Sequence, residues 1–381
     1  MEQEKKIRVA ITHGDINGVG YEVILKAFED PTMLELCTPI IYGDPRAASY
    51  HAKVLGSEVQ LNLIKNATEA QEGRLNLLAT YPEETNIEIG KASHESGLAA
   101  MKALDMALTD YKEGLFDVLV TAPVDKNSIK GFNGHTAYLE QQIGNGDKGL
   151  TILVCDDLRV ALVTNNVAIK DVAESITRQR IVEKVRIFHQ SLCRDMMVSI
   201  PRIAVLGLNP RCGEDGELGD EESEIIRPAI EELEAEGLQV FGPYAADDFF
   251  GSAAYYKFDG VLAMYHDQGQ TPFKAIAKDD GVRLTAGLKL VRTAPTHGPL
   301  FDLAGRNKAD ASSMRHAIFT AIDIWRNRKN HDEPLANPLP KMYHEKRDDS
   351  EKVRFRSPSF DRKNSTNSDG TDSPVSMSDA E

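Results

Sequence analysis

Residues 258–274 read Phe-Asp-Gly-Val-Leu-Ala-Met-Tyr-His-Asp-Gln-Gly-Gln-Thr-Pro-Phe-Lys. The apolar run at 261–264 has the length and composition of a buried strand in a parallel sheet. Polar residues begin just after it, at His266 and Asp267, and in open α/β sheets ligands bind beside the carboxyl ends of strands. A histidine next to an aspartate can serve as a metal ligand or as a base that the carboxylate orients. The stretch therefore predicts a central strand that leads into a functional site, and the alternative is a loop with an ordinary, partly exposed histidine.

The regions before this stretch alternate between strand and helix patterns. Residues 7–12 and 38–42 are β-rich, and helical patterns follow them at 21–28 and 47–55. Such alternation is typical of an α/β fold with a mostly parallel sheet. Residues 59–89 hold short strand patterns without long helices, which favours an excursion from that sheet.

Composition and charge exclude several classes of partner. The chain has 381 residues, a net charge of −15 and an isoelectric point near 5.2. This excess of acid disfavours nucleic acid, because phosphate backbones are bound by basic surfaces. The four cysteines lack CxxC spacing, so neither a zinc cluster nor a disulfide framework is expected. No apolar signal region and no run of membrane-spanning length is visible, so we expect a cytoplasmic protein without a membrane partner.

The composition changes near residue 344. From there to residue 381 the chain is rich in Ser, Asp, Lys, Arg and Asn and poor in apolar residues. Such a segment cannot bury enough apolar surface to offset the conformational entropy lost on folding. We therefore predict a folded domain over 1–343 and a disordered polar tail over 344–381.

A glycine-rich turn occupies residues 13–20, between the first predicted strand and the first predicted helix. A turn in this place can bring backbone N–H groups close to a ligand. It matches neither the GxGxxG fingerprint of dinucleotide-binding folds nor the Gly-Lys-Ser/Thr of a P-loop. A structural turn and a ligand-binding turn both fit the pattern.

Short motifs are spread along the chain from about residue 7 to residue 328: Gly14-Asp15-Ile16-Asn17-Gly18-Val19-Gly20, Thr121-Ala122-Pro123, Gly134-His135-Thr136, Gly207-Leu208-Asn209-Pro210, Tyr265-His266-Asp267-Gln268-Gly269, Pro272-Phe273-Lys274, Arg292-Thr293, His297-Gly298 and Asp302-Leu303-Ala304-Gly305. Each motif is weak alone, but in this order the set resembles the PdxA family. The members of that family are 4-hydroxythreonine-4-phosphate dehydrogenases of the pyridoxal phosphate pathway.

The resemblance implies a two-lobed α/β/α fold akin to that of isocitrate and isopropylmalate dehydrogenases. It also implies a homodimer with its active site near the subunit contact, and NAD bound outside a Rossmann fold, in keeping with the missing fingerprint. The implied reaction is the NAD-dependent oxidation of 4-phosphohydroxy-L-threonine to the 3-oxo acid. That acid loses CO2 and gives 3-amino-2-oxopropyl phosphate.

The resemblance also implies which residues contact the substrate. His135, Thr136, Lys274 and Arg292 keep the residue types of the family's substrate site. Arg283 stands where the family has a substrate-contacting Asn, and we expect it to contact the substrate as well. A doubly charged phosphate needs fixed cations of the kind that these arginines and this lysine supply.

The implied metal site departs from the family pattern. The family holds a divalent metal with three histidines, of which this chain retains His266, while Asn166 and Arg211 stand at the other two positions. The Asn166 carbonyl oxygen suits a hard ion such as magnesium better than zinc, with manganese a further candidate, whereas Arg211 cannot ligate and its charge opposes a cation. Asp247 and Asp267 stand where acidic groups lie close to the metal, so with His266 they are the catalytic candidates.

Several functions are compatible with these departures. One is a working dehydrogenase in which Arg211 and Arg283 replace the electrostatic role of the metal, or bind a related and more anionic phosphorylated hydroxy acid. Another is a binding or regulatory homologue that keeps a phosphorylated ligand but has lost the metal and the hydride transfer. A more distant option is an acyl or phosphoryl transferase, because phosphate acetyltransferases share the fold.

Overall fold

The computed structural model describes residues 6–80, 86–156 and 158–338. The described residues up to Asn337 form one compact unit. The predicted boundary at residue 343 and the predicted disordered tail over 344–381 lie outside the described residues. The strands, in chain order, are β1 (Arg8–Thr12), β2 (Thr38–Gly43), β3 (Leu61–Ile64), β4 (Leu75–Ala79), β5 (Val118–Thr121), β6 (Leu150–Cys155), β7 (Leu158–Leu162), β8 (Arg202–Leu206), β9 (Gln239–Tyr244), β10 (Gly260–Ala263), β11 (Val282–Ala286) and β12 (Val291–Pro295).

Some of the helix ends have a clear local cause. Helix α3, for example, starts where the Asp44 side chain accepts a hydrogen bond from the Arg46 N–H (2.8 Å), and it stops at Gly56, which adopts a positive φ of 64°. No described helix has both the length and the apolar character needed to span a membrane. The α-helices are α1 (Gly20–Ala27), α2 (Met33–Leu36), α3 (Pro45–Leu55), α4 (His94–Lys112), α5 (His135–Ile143), α6 (Val172–Ser175), α7 (Arg178–Arg194), α8 (Arg227–Ala235), α9 (Ala246–Gly251), α10 (His266–Ala277) and α11 (Ser312–Ala336).

The described strands form one twelve-stranded sheet with the order β3-β4-β2-β1-β5-β12-β11-β6-β7-β10-β8-β9. Eight of the eleven described pairings are parallel, and the three antiparallel pairings join β12 to β11, β11 to β6 and β6 to β7. The predicted α/β fold with a mostly parallel sheet is confirmed.

The expected excursion at residues 59–89 is wrong. Strands β3 and β4 extend the sheet at one edge, where β4 pairs in parallel with β2. The connection between β3 and β4 contains a short 3-10 turn, Ala67–Glu69, in place of a helix. The helical pattern that usually separates two parallel strands in a sequence is therefore missing here.

The two faces of the sheet are packed differently. One face carries a continuous apolar core with side chains from both ends of the strand order. On the opposite face the core is divided into one cluster on β1–β5 and a second cluster on β6, β7, β8 and β10. The gap between them lies over β5, β12, β11 and β6, in the middle of the sheet. Such a division is the feature expected of a two-lobed fold.

Helix α11 supports the middle of the sheet from the continuous-core face. Its residues Met314, Ala317 and Ile318 are buried in that core, and the Thr293 hydroxyl of β12 donates a hydrogen bond to the Ala317 carbonyl (2.7 Å). The strands beneath the gap are therefore backed by a packed helix. They form a rigid floor for side chains that point to the other side.

The stretch around His266 forms a strand followed immediately by a helix. Strand β10 ends at Ala263, and α10 begins at His266. The Gln268 side chain fixes this turn, because it accepts a hydrogen bond from the Met264 N–H (2.7 Å) and donates one to the Gly207 carbonyl (2.6 Å). The predicted strand is confirmed, and the loop expected as the alternative is a helix.

Candidate active site

The gap in the core is floored by polar side chains from four adjacent strands. Thr121, Thr151, Thr285 and Arg292 alternate with apolar residues that face the continuous core, so they point into the gap. Arg292 is buried, and its guanidinium donates to the hydroxyls of Thr121 (3.0 Å) and Thr285 (3.4 Å). The floor thus fixes a positive charge in the middle of the sheet.

Helix α5 begins at the edge of this floor. Gly134 precedes its first residue, His135, and adopts a φ of 99° that favours glycine. The next residue, Thr136, forms hydroxyl hydrogen bonds with Thr151 (3.0 Å) and Thr285 (3.1 Å). The start of α5 is thereby tied to strands β6 and β11, which holds His135 beside the floor.

A cavity of about 260 Å³ opens above the floor. Its volume is somewhat below that of typical pockets for drug-sized ligands, so it suits a small molecule. Of the site residues predicted from the sequence, those that line it are His135, His266, Lys274, Arg283 and Arg292.

The cavity is strongly cationic. Lys126, Lys274, Arg283 and Arg292 all line it, and within the described part of the chain none of them pairs with a carboxylate. Burial, together with repulsion from Arg283, lowers the pKa of Arg292 to about 9, so Arg292 is still charged at neutral pH. Burial also lowers the pKa of Lys126, and Arg283 adds to that effect. The arrangement favours an anionic ligand that would compensate the four charges.

His135 is a neutral side chain among these cations. Burial holds its pKa well below the ordinary range, and the charges of Arg292, Arg283 and Lys126 lower that pKa further. The Phe132 ring packs edge-on against the imidazole, with ring centres 5.3 Å apart. An imidazole that stays neutral at physiological pH keeps one nitrogen free of a proton, so it can accept a hydrogen bond from a ligand.

His266 lines the cavity, and its neighbour Asp267 contacts its imidazole. The His266 Nδ1 atom is 2.7 Å from Asp267 Oδ1, and the two side chains are 45% and 77% exposed. A carboxylate at Nδ1 favours the tautomer in which Nε2 is unprotonated. His266 is therefore arranged as a proton acceptor that Asp267 orients.

Asp247 is placed elsewhere. It is an exposed residue in the first turn of α9, and it does not line the cavity. Its charge acts instead near Cys212, whose thiol pKa is raised by burial and by Glu222, with a smaller contribution from Asp247. Of the three catalytic candidates, His266 and Asp267 are in contact within the described part of one chain, and Asp247 is apart from them.

Comparison with known proteins gives the family of this chain. The profile described as "Pyridoxal phosphate biosynthetic protein PdxA" matches residues 35–321, which is most of the chain. A protein of Bacteroides thetaiotaomicron named 4-hydroxythreonine-4-phosphate dehydrogenase is 52% identical over 93% of this chain and 98% of its own length. The chain belongs to the PdxA family.

Solved structures agree with this membership. The 4-hydroxythreonine-4-phosphate dehydrogenase of Klebsiella pneumoniae matches with a TM-score of 0.71 and 29% identity, over 84% of this chain and all of that one. The enzyme of the same name from Burkholderia phymatum matches with a TM-score of 0.67 and 32% identity, over 84% of this chain and 99% of that one. The similarity therefore extends over nearly the whole of both PdxA structures.

The residues at the implied PdxA metal positions have other partners in this chain. The Asn166 side-chain oxygen accepts a hydrogen bond from the Lys126 ammonium (3.0 Å), and its amide donates to the Asn133 carbonyl (2.9 Å). Arg211 forms an exposed ion pair with Glu214 at 3.0 Å. Among the residues that the structure describes, no three His, Cys, Asp or Glu side chains are grouped to hold a metal. The donor set present here does not fit a divalent metal.

The site residues predicted from the sequence did not include Thr121, Thr151, Thr285 or Lys126, although Thr121 belongs to the quoted Thr121-Ala122-Pro123 motif. Thr121, Thr151 and Thr285 each follow or interrupt apolar residues in a buried strand, and this interruption is a signal that could have identified them. Lys126 lies three residues after the Thr121-Ala122-Pro123 motif, but one lysine in a polar loop carries no distinguishing pattern. Its role depends on neighbours that are distant along the chain.

Proposed function

We propose that this PdxA-family chain is an NAD-dependent dehydrogenase that oxidises 4-phosphohydroxy-L-threonine. The observation that carries the proposal is the cavity in which Lys126, Lys274, Arg283 and Arg292 surround the neutral His135. The proposed substrate brings a doubly charged phosphate and a carboxylate to these four cations, and its amino group carries one positive charge. The names of the relatives support the same assignment.

In this proposal the ends of the substrate are held by different groups. Lys274 and Arg292 bind the phosphate, and Arg283 adds a fork of donors suited to a carboxylate or a phosphate. Beside these cations, the His135 imidazole and the Thr136 hydroxyl form further hydrogen bonds with the substrate. Because Arg292 and Thr136 are tied to the strands, the bound substrate is held with little freedom, which favours the reaction step.

The chemistry that we assign to the side chains begins with proton transfer. His266 Nε2 takes the proton of the secondary hydroxyl, and Asp267 stabilises the imidazolium that forms. The carbon that bore the hydroxyl would give up its hydride, with bound NAD supplying the acceptor, and would become the 3-oxo carbon. The oxo acid then loses CO2, the electron pair moves onto the 3-oxo oxygen as an enolate, and protonation at C2 gives 3-amino-2-oxopropyl phosphate. Cations beside the cavity stabilise that enolate charge.

We also infer a homodimer with the site near the subunit contact, as the family resemblance implies. His266 lines the cavity and is exposed, as is its neighbour Asp267, so a second chain has room to cover this side of the cavity. Light scattering on the protein as it elutes from a size-exclusion column should give a mass about twice the 42.0 kDa of the chain. A mass equal to one chain would contradict the dimer.

NADH formation tests the proposed function. Purified protein is mixed with NAD and 4-phosphohydroxy-L-threonine, and the product is identified by mass spectrometry. We expect NADH and 3-amino-2-oxopropyl phosphate in equal amounts, and a much slower reaction with unphosphorylated 4-hydroxy-L-threonine. Binding of the phosphorylated compound without any NADH formation would refute the dehydrogenase and favour a homologue that only binds its ligand.

A further inference from the structure

Lys126 is fixed at the edge of the cavity by its own loop. Asp125 holds the turn that contains it, because its carboxylate accepts hydrogen bonds from the Asn127 N–H (3.3 Å) and the Ser128 hydroxyl (2.7 Å). The lysine side chain runs past Gly134, where an added Cβ would lie 3.7 Å from the ammonium nitrogen. The Lys126 ammonium therefore lies next to the start of α5, whose first residue is His135.

The ammonium is also anchored at its tip. It donates to the side-chain oxygen of Asn166 at 3.0 Å, and the amide of Asn166 is fixed in turn by the Asn133 carbonyl. The positive charge of Lys126 therefore lies beside the Asn166 side-chain oxygen, the atom that would otherwise be open to a cation. A metal ion bound to the same oxygen would lie close to the Lys126 ammonium, and the repulsion between the two positive charges opposes such binding.

The surrounding charges also disfavour a metal ion. Arg283, Arg292 and Lys274 line the same cavity as Lys126, and no described carboxylate pairs with any of the four. Adding a divalent cation to this group would raise the repulsion among like charges at short range. The electrostatic role that a metal performs at a reacting oxygen, which is to stabilise negative charge, is already available from fixed cations.

From these contacts we propose that the Lys126 ammonium, positioned by Asn166, contacts the alcohol oxygen of the bound substrate in place of a metal ion. This inference rests on the proposed function for the identity of the ligand. As the hydroxyl proton moves to His266 and the hydride leaves the carbon, an ammonium N–H stabilises the negative charge on that oxygen. The same contact stabilises the enolate oxygen after CO2 has left. The reaction then needs NAD and no other added reagent.

The test uses the full chain treated with EDTA, and then the same protein with zinc, magnesium or manganese added. Turnover and the calorimetric dissociation constant of 4-phosphohydroxy-L-threonine are measured for each sample. We expect both to be unchanged by EDTA and by the added metals. Substrate binding or turnover that requires a metal would overturn the proposal.

Variants of Lys126 separate a direct contact from a general charge effect. For Lys126→Met we expect kcat to fall by about a hundredfold or more, as for the loss of one donor to a developing oxyanion, with a smaller loss in substrate affinity. Lys126→Arg should recover part of the rate because it keeps the charge. The matched control is Lys130→Met, which removes an exposed lysine four positions away that does not line the cavity.

Two further outcomes are informative. Unchanged kcat and unchanged substrate affinity in Lys126→Met would remove Lys126 from the site and refute the inference, whatever the wild-type activity. If no variant and no wild-type sample forms NADH, but metal-free calorimetry shows that Lys126→Met weakens binding, the dehydrogenase assignment fails and the metal-free contact stands. The two proposals can therefore fail separately.

Discussion

At the scale of single residues, the cationic side chains that line the cavity are held in different ways. Arg292 is buried and bonded to Thr121 and Thr285, whereas Lys274 is exposed at the rim of the cavity. A fixed guanidinium loses little freedom when it binds an anion, while a flexible lysine must be ordered first. Arg292 therefore defines where an anion sits, and Lys274 adds affinity.

Replacing Lys274 tests the anion site with little risk to the fold. We expect Lys274→Ala to weaken binding of 4-phosphohydroxy-L-threonine by at least about tenfold, because a charge-assisted hydrogen bond contributes about 1.5 to 3 kcal/mol. Calorimetry measures the effect, and Lys112→Ala, an exposed lysine at the end of α4, is the control for a lost charge. Equal affinities for the wild type and Lys274→Ala would take Lys274 out of the site.

His13 makes the stability of the protein depend on pH. It is completely buried and stacked on Tyr21, and burial lowers its pKa to about 4. In the unfolded chain a histidine binds a proton near pH 6.5, so acid between these values favours unfolding. The His13 contribution should be present above about pH 6.5 and should fall by about 2 kcal/mol between pH 7 and pH 5.

Urea unfolding of the wild type and His13→Gln at both pH values isolates this contribution. The variant should lose less stability between pH 7 and pH 5 than the wild type does. Asp15 is buried and has a raised pKa, so its effect has the opposite sign, but it is common to both proteins. Parallel pH profiles for the two proteins would show that His13 is not the group involved.

At the scale of elements, helix α10 positions two site residues at once. His266 is its first residue, and Lys274 lies about two turns further along. The helix lies close to the sheet at Gly269, where an added Cβ would be 2.6 Å from a Leu162 methyl carbon and 3.0 Å from Ala263. The absence of a side chain at Gly269 therefore allows α10 to pack closely against β7 and β10.

Gly269→Ala should push α10 away from the strands. Overpacking costs about 1 to 3 kcal/mol, which outweighs the gain of up to about 1 kcal/mol from better helix propensity. We expect a less stable protein with a higher KM for the substrate, because His266 and Lys274 move together. Gly251→Ala in α9 is the control, since its added Cβ would meet no atom within 4 Å, and its stability should be unchanged or slightly raised. A Gly269→Ala protein as stable as the wild type would contradict this packing.

The elements also show how far the sequence could predict this fold. Strand β10 is apolar and fully buried, so its local sequence is enough to predict it. Helix α4 is predictable for a similar reason, because the Ser93 side chain caps its N-terminus. Edge strand β3 has a partly exposed pattern and no helix after it, so local signals were too weak to place it in the sheet. The contact between Lys126 and Asn166 joins residues 40 positions apart, and only the folded sheet brings them together.

At the scale of the whole molecule, one buried ion pair ties helix α11 to Asp195, the residue that follows helix α7. Arg328 donates to the Asp195 carboxylate at 2.6 and 3.2 Å, and also to the carbonyls of Leu288 (3.0 Å) and Lys289 (2.8 Å). The two charged side chains are 9% and 2% exposed. Because α11 also supports the strands beneath the cavity, the Arg328–Asp195 pair links this helix to the floor of the site.

Removing one member of the pair should be costly. Arg328→Met leaves the Asp195 charge buried without its partner, and we expect a loss of about 3 to 5 kcal/mol in the free energy of unfolding. The double variant Arg328→Met with Asp195→Leu should lose less, because no isolated charge remains. Denaturant unfolding measures both, and a double variant less stable than the single one would contradict the explanation.

The most direct test of the central claim, a metal-free anion site in the cleft, is a crystal structure of the full chain with bound 4-phosphohydroxy-L-threonine, grown with zinc or magnesium present. We expect the phosphate within hydrogen-bonding distance of Arg292 and Lys274, the alcohol oxygen beside the Lys126 ammonium, and no metal ion between ligand and protein. A phosphate bound outside the cleft, or a metal ion bridging the ligand to His266, would contradict it.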